Sequence, residues 1–96
     1  MTLARKIILH SPVSDERLLE DFVEQCLSQR VSLVAVVGSG CARLEGLIDE
    51  IVLGDGSDPE RFMCTTSHPD ERFSDVVSIV ECWELDRSDP YQEVRL

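Results

Sequence analysis

Lysine is almost missing from this chain: Lys6 is the only one among 96 residues. Positive charge of any kind is scarce, with 9 Lys plus Arg against 19 Asp plus Glu and a formal charge of −10. An excess of this size repels polyanions and argues against nucleic acid and anionic membrane surfaces as partners. It suits either a well-solvated surface or an acidic face that docks a basic protein partner. Long apolar runs are also missing. No stretch approaches the ~18 apolar residues that a membrane span needs. The opening "MTLARKIILHSP" has only Ile7, Ile8 and Leu9 in a row before His10, too few for a secretory leader. Cys26, Cys41, Cys64 and Cys82 include no C-x-x-C pair, so neither a disulfide framework nor a zinc ribbon is indicated. A cytoplasmic chain with reduced thiols and no cofactor is the expectation. Aromatic residues are few (Phe22, Phe62, Phe73, Trp83 and Tyr91), so the core has to come from Val, Leu and Ile within a hydrophobic fraction of 43%. The length leaves room for one core, with residues 1–96 as a single α/β domain.

What is present is an alternation of two periodicities. "ARKIILH" (4–10) is a short continuous apolar run, the mark of a strand covered on both faces. "SPVSDE" carries turn chemistry, with Ser14 a plausible N-cap. Leu18, Leu19, Phe22, Val23, Cys26 and Leu27 then form one helical stripe between Asp15 and Gln29, with acids in the first turn and Arg30 just past the end. "VSLVAVV" (31–37) is the most apolar segment and predicts a central or near-central strand. After "GSG", Leu44, Leu47, Ile48, Ile51 and Val52 repeat at helical spacing, predicting a second helix from about Cys41 to Ile51. Its β-branched end could instead peel off as an extended piece. "GDGSDPE" (54–60) reads as a loop, and "RFMCTT" (61–66) as a less apolar strand suited to an edge. Pro69 fits the first position of a third helix whose face is Phe73, Val76, Val77, Val80 and Trp83. "DRSDP" breaks the chain, and "YQEVRL" alternates weakly as a short terminal strand or tail.

Strand and helix alternate three times, the pattern of a mainly parallel sheet with right-handed helical crossovers. The expectation is a small three-layer α/β/α fold in βαβαβα order, with three strands or, counting "YQEVRL", four. Strand order 2-1-3 is favoured over 3-2-1. So small a sheet leaves open edges, which makes homodimerisation an option.

Parallel sheets bind ligands beyond the carboxyl ends of their strands. The first strand ends at His10 and Ser11, the second at Ser39, Gly40 and Cys41, and the third at Thr66, Ser67 and His68. The polar groups of a site would meet at this rim: Cys41, His10 and His68 are the candidate catalytic residues, and Ser11, Ser39, Gly40, Thr66 and Ser67 the candidate ligand contacts. Loops after strands are polar in any case, because helix starts recruit Ser and Thr.

The stretch "VVGSGCARLE" (36–45) fails as a phosphate cradle. Gly38 and Gly40 supply two glycines of a dinucleotide fingerprint, but position 43 is Arg. A P-loop needs a lysine that is not there. Cys41 at a helix start could be an activated thiol, although Glu45 and Asp49 follow one and two turns on, and a packed cysteine is the commoner case. His10, His68 and Cys41 have no metal-ligand spacing. "DGSD" (55–58) lacks the alternating ligands of a calcium loop. Cys26, Cys64 and Cys82 read as packed residues.

Gly38 with Cys41, the pair Ile48-Asp49, and "FMCTTSHPDE" (62–71) together resemble a family of small uncharacterised bacterial proteins, a domain of unknown function. Its members carry a G-x-x-C turn and a T-T-x-H-x-D-E segment, matched here by Thr65, Thr66, His68, Asp70 and Glu71. The resemblance spans residues 31–80, and relatives tend to have tryptophan where this chain has Ser67. It implies a bacterial cytoplasmic protein and carries over no activity. No complete catalytic constellation stands beside the acidic composition. The expected function is therefore a protein-binding, regulatory or accessory module. The alternative is a small enzyme or small-ligand binder using His10, Cys41 and His68.

Overall fold

In the computed structural model, residues 3–54, 63–83 and 90–96 are described. The elements are β1 (Lys6–Ser11), α1 (Arg17–Ser28), β2 (Leu33–Gly38), α2 (Cys41–Leu53), β3 (Cys64–His68), α3 (Phe73–Glu81) and β4 (Tyr91–Arg95). The loop expected from Asp55, the "DGSD" turn, Phe62 and the break at 86–89 lie outside the described residues. All four strands are parallel, in the order β3-β2-β1-β4.

The favoured order 2-1-3 is corrected: β2 lies between β1 and β3, and β4 takes the edge beside β1. The reason is burial. Leu33, Val34, Ala35, Val36 and Val37 are all buried, so β2 needs strands on both sides, whereas order 2-1-3 would leave it at an edge. β4 flanks β1 because its alternation serves both faces of the sheet, with Val94 in one core cluster and Tyr91 packed against the other.

Two successive right-handed steps, β1 to β2 to β3, put α1 and α2 on one face. The return from β3 to β4 puts α3 on the other. The core divides accordingly. Ile7, Leu9, Val34 and Val36 pack under Leu19, Phe22, Val23 and Cys26 of α1 and Leu44, Ile48 and Val52 of α2. Ile8, Leu33, Ala35 and Val37 pack under Val76 and Val80 of α3. Complete burial of an aliphatic side chain such as Ile7 or Ile8 contributes about 1.5–3 kcal/mol.

Local details depart from expectation in several places, and β3 runs on to His68 instead of stopping at Thr66. α1 starts from Glu16 rather than Ser14, and Asp15 Oδ1 accepts the Arg17 N–H instead. α2 stays helical through Leu53, so "EIVL" does not peel away. α3 begins at Phe73, not Pro69, because the Glu71 carboxylate turns back onto His68 and residues 69–71 bend rather than coil. Cys82 is exposed rather than packed. Among the described residues no helix is long and apolar enough to cross a membrane.

Candidate functional site

The register places one residue of each strand in a row at the carboxyl end of the sheet. His10 pairs with Val37 on one side and Arg95 on the other, and Val37 pairs with His68. Strand alternation turns this row to the same face as Ile8 and Ala35, the face that α3 covers. Both histidines therefore reach one rim and one face. They lie two strand spacings apart, about 10 Å between backbones.

Cys41 does not join them. It belongs to the core cluster on the α1–α2 face and is 1% exposed. The three candidate catalytic residues thus share the end of the sheet but not a cleft. The turn leading to Cys41 is a close-packed backbone crossing. Gly38 has φ +97°, and a Cβ there would lie 2.2 Å from the Ser11 carbonyl oxygen. Gly40 has φ +72°, in the left-handed region. The Ser11 hydroxyl donates to the Ser39 carbonyl, which locks this turn to the end of β1. Ser11, Ser39 and Gly40 are brought together, as part of that lock. Beside it, Arg43 in the first turn of α2 forms a two-pronged pair with the Glu16 carboxylate.

His68 is the most organised polar group on the α3 side. It is 8% exposed, its Nδ1 lies 2.9 Å from Glu71 Oε1, and its Nε2 lies 2.9 Å from Thr66 Oγ1. When neutral imidazole donates from Nδ1 to Glu71, Nε2 is left to accept the Thr66 hydroxyl proton. Hydroxyl, imidazole and carboxylate then stand in series. His10 has a looser setting: Nε2 is 2.9 Å from Glu93 Oε1, and its ring stacks on Phe73 with centroids 5.6 Å apart. Ser67, on the opposite face from Thr66, donates to Glu45 Oε1 at 3.3 Å.

Two of the thiols are poorly placed for nucleophilic work. Burial pushes the Cys26 thiol up to about 12. Burial, then the nearby charges of Asp49 and Glu45, also push Cys64 up. A thiol that holds its proton is a weak nucleophile and a weak metal ligand. Among the described residues no three His, Cys, Asp or Glu side chains gather as metal ligands.

Sequence reasoning missed the partners of both histidines. Glu71 was visible three residues after His68, but as a residue of a helical first turn. Glu93 and Phe73 reach His10 only because β4 pairs with β1 and α3 crosses that face, and no local spacing encodes either fact. Among known proteins, no curated protein and no solved structure matches the chain. A family model does match, over residues 3–82, and the chain belongs to that family, the domain of unknown function DUF7684.

Proposed function

We propose that this chain is a protein-binding module, regulatory or accessory in role, that docks a basic partner protein through the acidic surface of its α1–α2 layer. One observation carries this reading. Glu20, Asp21, Asp49 and Glu50 are exposed there, while Arg17 and Arg43 are already paired with Asp15 and Glu16. The paired arginines hold both carboxyls below the usual carboxylate range, so these acids stay charged and their cations are spent internally. The unbalanced acids leave a field that speeds and orients encounter with a cation-rich surface. Titration of a labelled Lys/Arg-rich peptide at several NaCl concentrations tests it. Affinity should fall steeply as salt rises, and the double variant Glu20→Lys/Asp21→Lys should weaken binding at low salt. Binding indifferent to salt would count against the reading.

A second reading, a small enzyme or small-ligand binder at the carboxyl rim, is favoured by the Thr66–His68–Glu71 series. Here His68 is the base, with Glu71 setting its tautomer and His10 flanking the site; Cys41, buried on the far face, takes no part. Hydrolysis of an activated ester tests it. A rate above background that His68→Gln and Thr66→Val both abolish supports an enzyme, and identical rates in all three proteins argue against it.

A further inference from the structure

We infer that the outer edge of β3 is the docking strand for a basic segment of a partner protein. The segment lies along β3 as a fifth strand, its backbone paired with Thr65 and Ser67 and its cations facing Glu45 and Asp49. The inference rests on the basic-partner reading above and names the part of the molecule that would do the recognising.

The backbone supplies the first argument. β3 ends the strand order, and the Cys64 N–H donates to the Ser32 carbonyl at 3.1 Å. Along a parallel ladder the peptide groups point alternately to either side. Cys64, Thr66 and His68 therefore turn their N–H and C=O groups toward β2, and Thr65 and Ser67 turn theirs outward. Among the described residues nothing pairs with those outward groups. The strand is also short of a side-chain partner: Thr65 Oγ1 is buried without a hydrogen bond among the described residues.

The two edges of the sheet differ in how they are guarded. Exposed edges are normally blunted by charge, proline or a bulge. β4 carries Glu93 and Arg95, and its Gln92 side chain already accepts the Ala4 N–H. β3 reads "CTTSH", has no proline, lysine or carboxylate, and keeps an unbroken register from Leu33↔Cys64 to Val37↔His68. It is an unbroken, half-buried template.

Charge decides the occupant. Glu45 accepts from Ser67 at 3.3 Å, and Asp49 lies one helical turn further along α2. A second copy pairing edge to edge would bring these carboxylates against their equivalents, between chains of charge −10 each. A basic segment meets them with opposite charge. Because strand side chains alternate, every second residue of the segment faces Glu45 and Asp49. The residues between face Cys64 and Thr66, where small apolar groups fit. The recognised pattern is basic–apolar–basic in extended form.

The probe is an end-blocked, labelled hexapeptide of alternating Lys and Val, and its twin with N-methyl groups on the amides of one edge, tried for each edge. Binding is read by fluorescence anisotropy, and contact by amide hydrogen exchange. The expected result is salt-sensitive binding, exchange at Thr65 and Ser67 slowed about tenfold or more, and affinity about tenfold lower for one methylated twin. Ser67→Pro removes the outward N–H together with the hydroxyl that donates to Glu45, and Ser67→Ala removes the hydroxyl alone; both should keep the native circular dichroism, and only the proline variant should lose binding. Glu45→Gln/Asp49→Asn should weaken the Lys peptide but not a Gln-for-Lys version. Salt-sensitive binding with Thr65 and Ser67 exchange unchanged would overturn the edge site and leave the acidic-surface reading standing. No salt-sensitive binding by any basic peptide would remove both. Protection of Thr65 and Ser67 that grows with concentration of the protein alone would make a second copy the occupant and overturn the inference.

Discussion

Gly38 and Gly46 show how differently one residue type can act in one chain. At Gly38 the φ is positive, and the Ser11 carbonyl oxygen lies 2.2 Å from the place a methyl group would take, which leaves no space for a side chain. Gly38→Ala is expected to lower stability by at least about 2 kcal/mol, since left-handed strain and overlap with backbone add. Gly46 lies inside α2 with nothing within 4 Å of such a methyl. Gly46→Ala should raise stability by about 1 kcal/mol through helix propensity and a less flexible unfolded chain. Urea denaturation of the two variants checks both signs. The cysteines sort in the same way by environment. Cys82 is exposed, Cys64 half-buried with a raised thiol, and Cys26 and Cys41 are enclosed. Alkylation followed by mass spectrometry should label Cys82 first, Cys64 more slowly, and Cys26 and Cys41 only on unfolding. A Cys41 that reacts as fast as Cys82 in the folded protein would contradict its packing. Only part of this was legible. Cys26 lies within a clear helical stripe and reads correctly as core, but Cys82 sits just past the end of α3 between Val80 and Trp83, which pack while it faces out, and hydrophobicity alone cannot show that.

At the scale of elements, periodicity was informative wherever a segment has one buried face or two. The stripe from Leu18 to Leu27 gives α1, and the unbroken apolar run of β2 puts it inside the sheet. The observed position of that run, between β1 and β3, overturns the favoured order 2-1-3, which would strand it at an edge. β4 and the start of α3 were harder to read because tertiary pairs decide them: Tyr91 and Val94 pack only once the sheet exists, and Glu71 serves His68 rather than a helix. Lys6 is the clearest case of an element held by one distant residue. It is 1% exposed, and its Nζ donates to the Glu81 carbonyl at the end of α3. A cation there satisfies a terminal carbonyl and opposes the negative end of the helix dipole. Lys6→Met keeps the length of the side chain and removes the charge. It should cost about 1–3 kcal/mol and speed amide exchange in α3 more than in α1. Uniform change across both helices would mean that Lys6 supports the sheet rather than α3.

For the whole molecule, the unbalanced charge that suits a basic partner also works against the fold. Carboxylates amounting to a net −10 are held within a radius of gyration of 12.5 Å, whereas the unfolded chain spreads them out. At about 10 mM salt the screening length, about 30 Å, is comparable with the molecule's extents of 36 × 28 × 23 Å, and at about 0.1 M it shrinks to about 10 Å. Adding NaCl from about 10 mM to about 300 mM should therefore raise Tm, although it also weakens the exposed Asp15–Arg17 and Glu16–Arg43 pairs. The two effects of acidification oppose each other likewise. Asp15 and Glu16 have folded-state values below their unfolded ones, so their stabilisation is full above the ordinary carboxylate range and lost as pH falls through the lowered values. Acid also shrinks the net charge of −10, which relieves repulsion. Tm measured at low salt should therefore hold or rise as pH falls from 7 toward the ordinary carboxylate range, and drop only below it. A Tm that falls as salt is added at pH 7 would show that local ion pairs, not net repulsion, dominate the electrostatics of this chain, and would weaken the case for a free acidic surface.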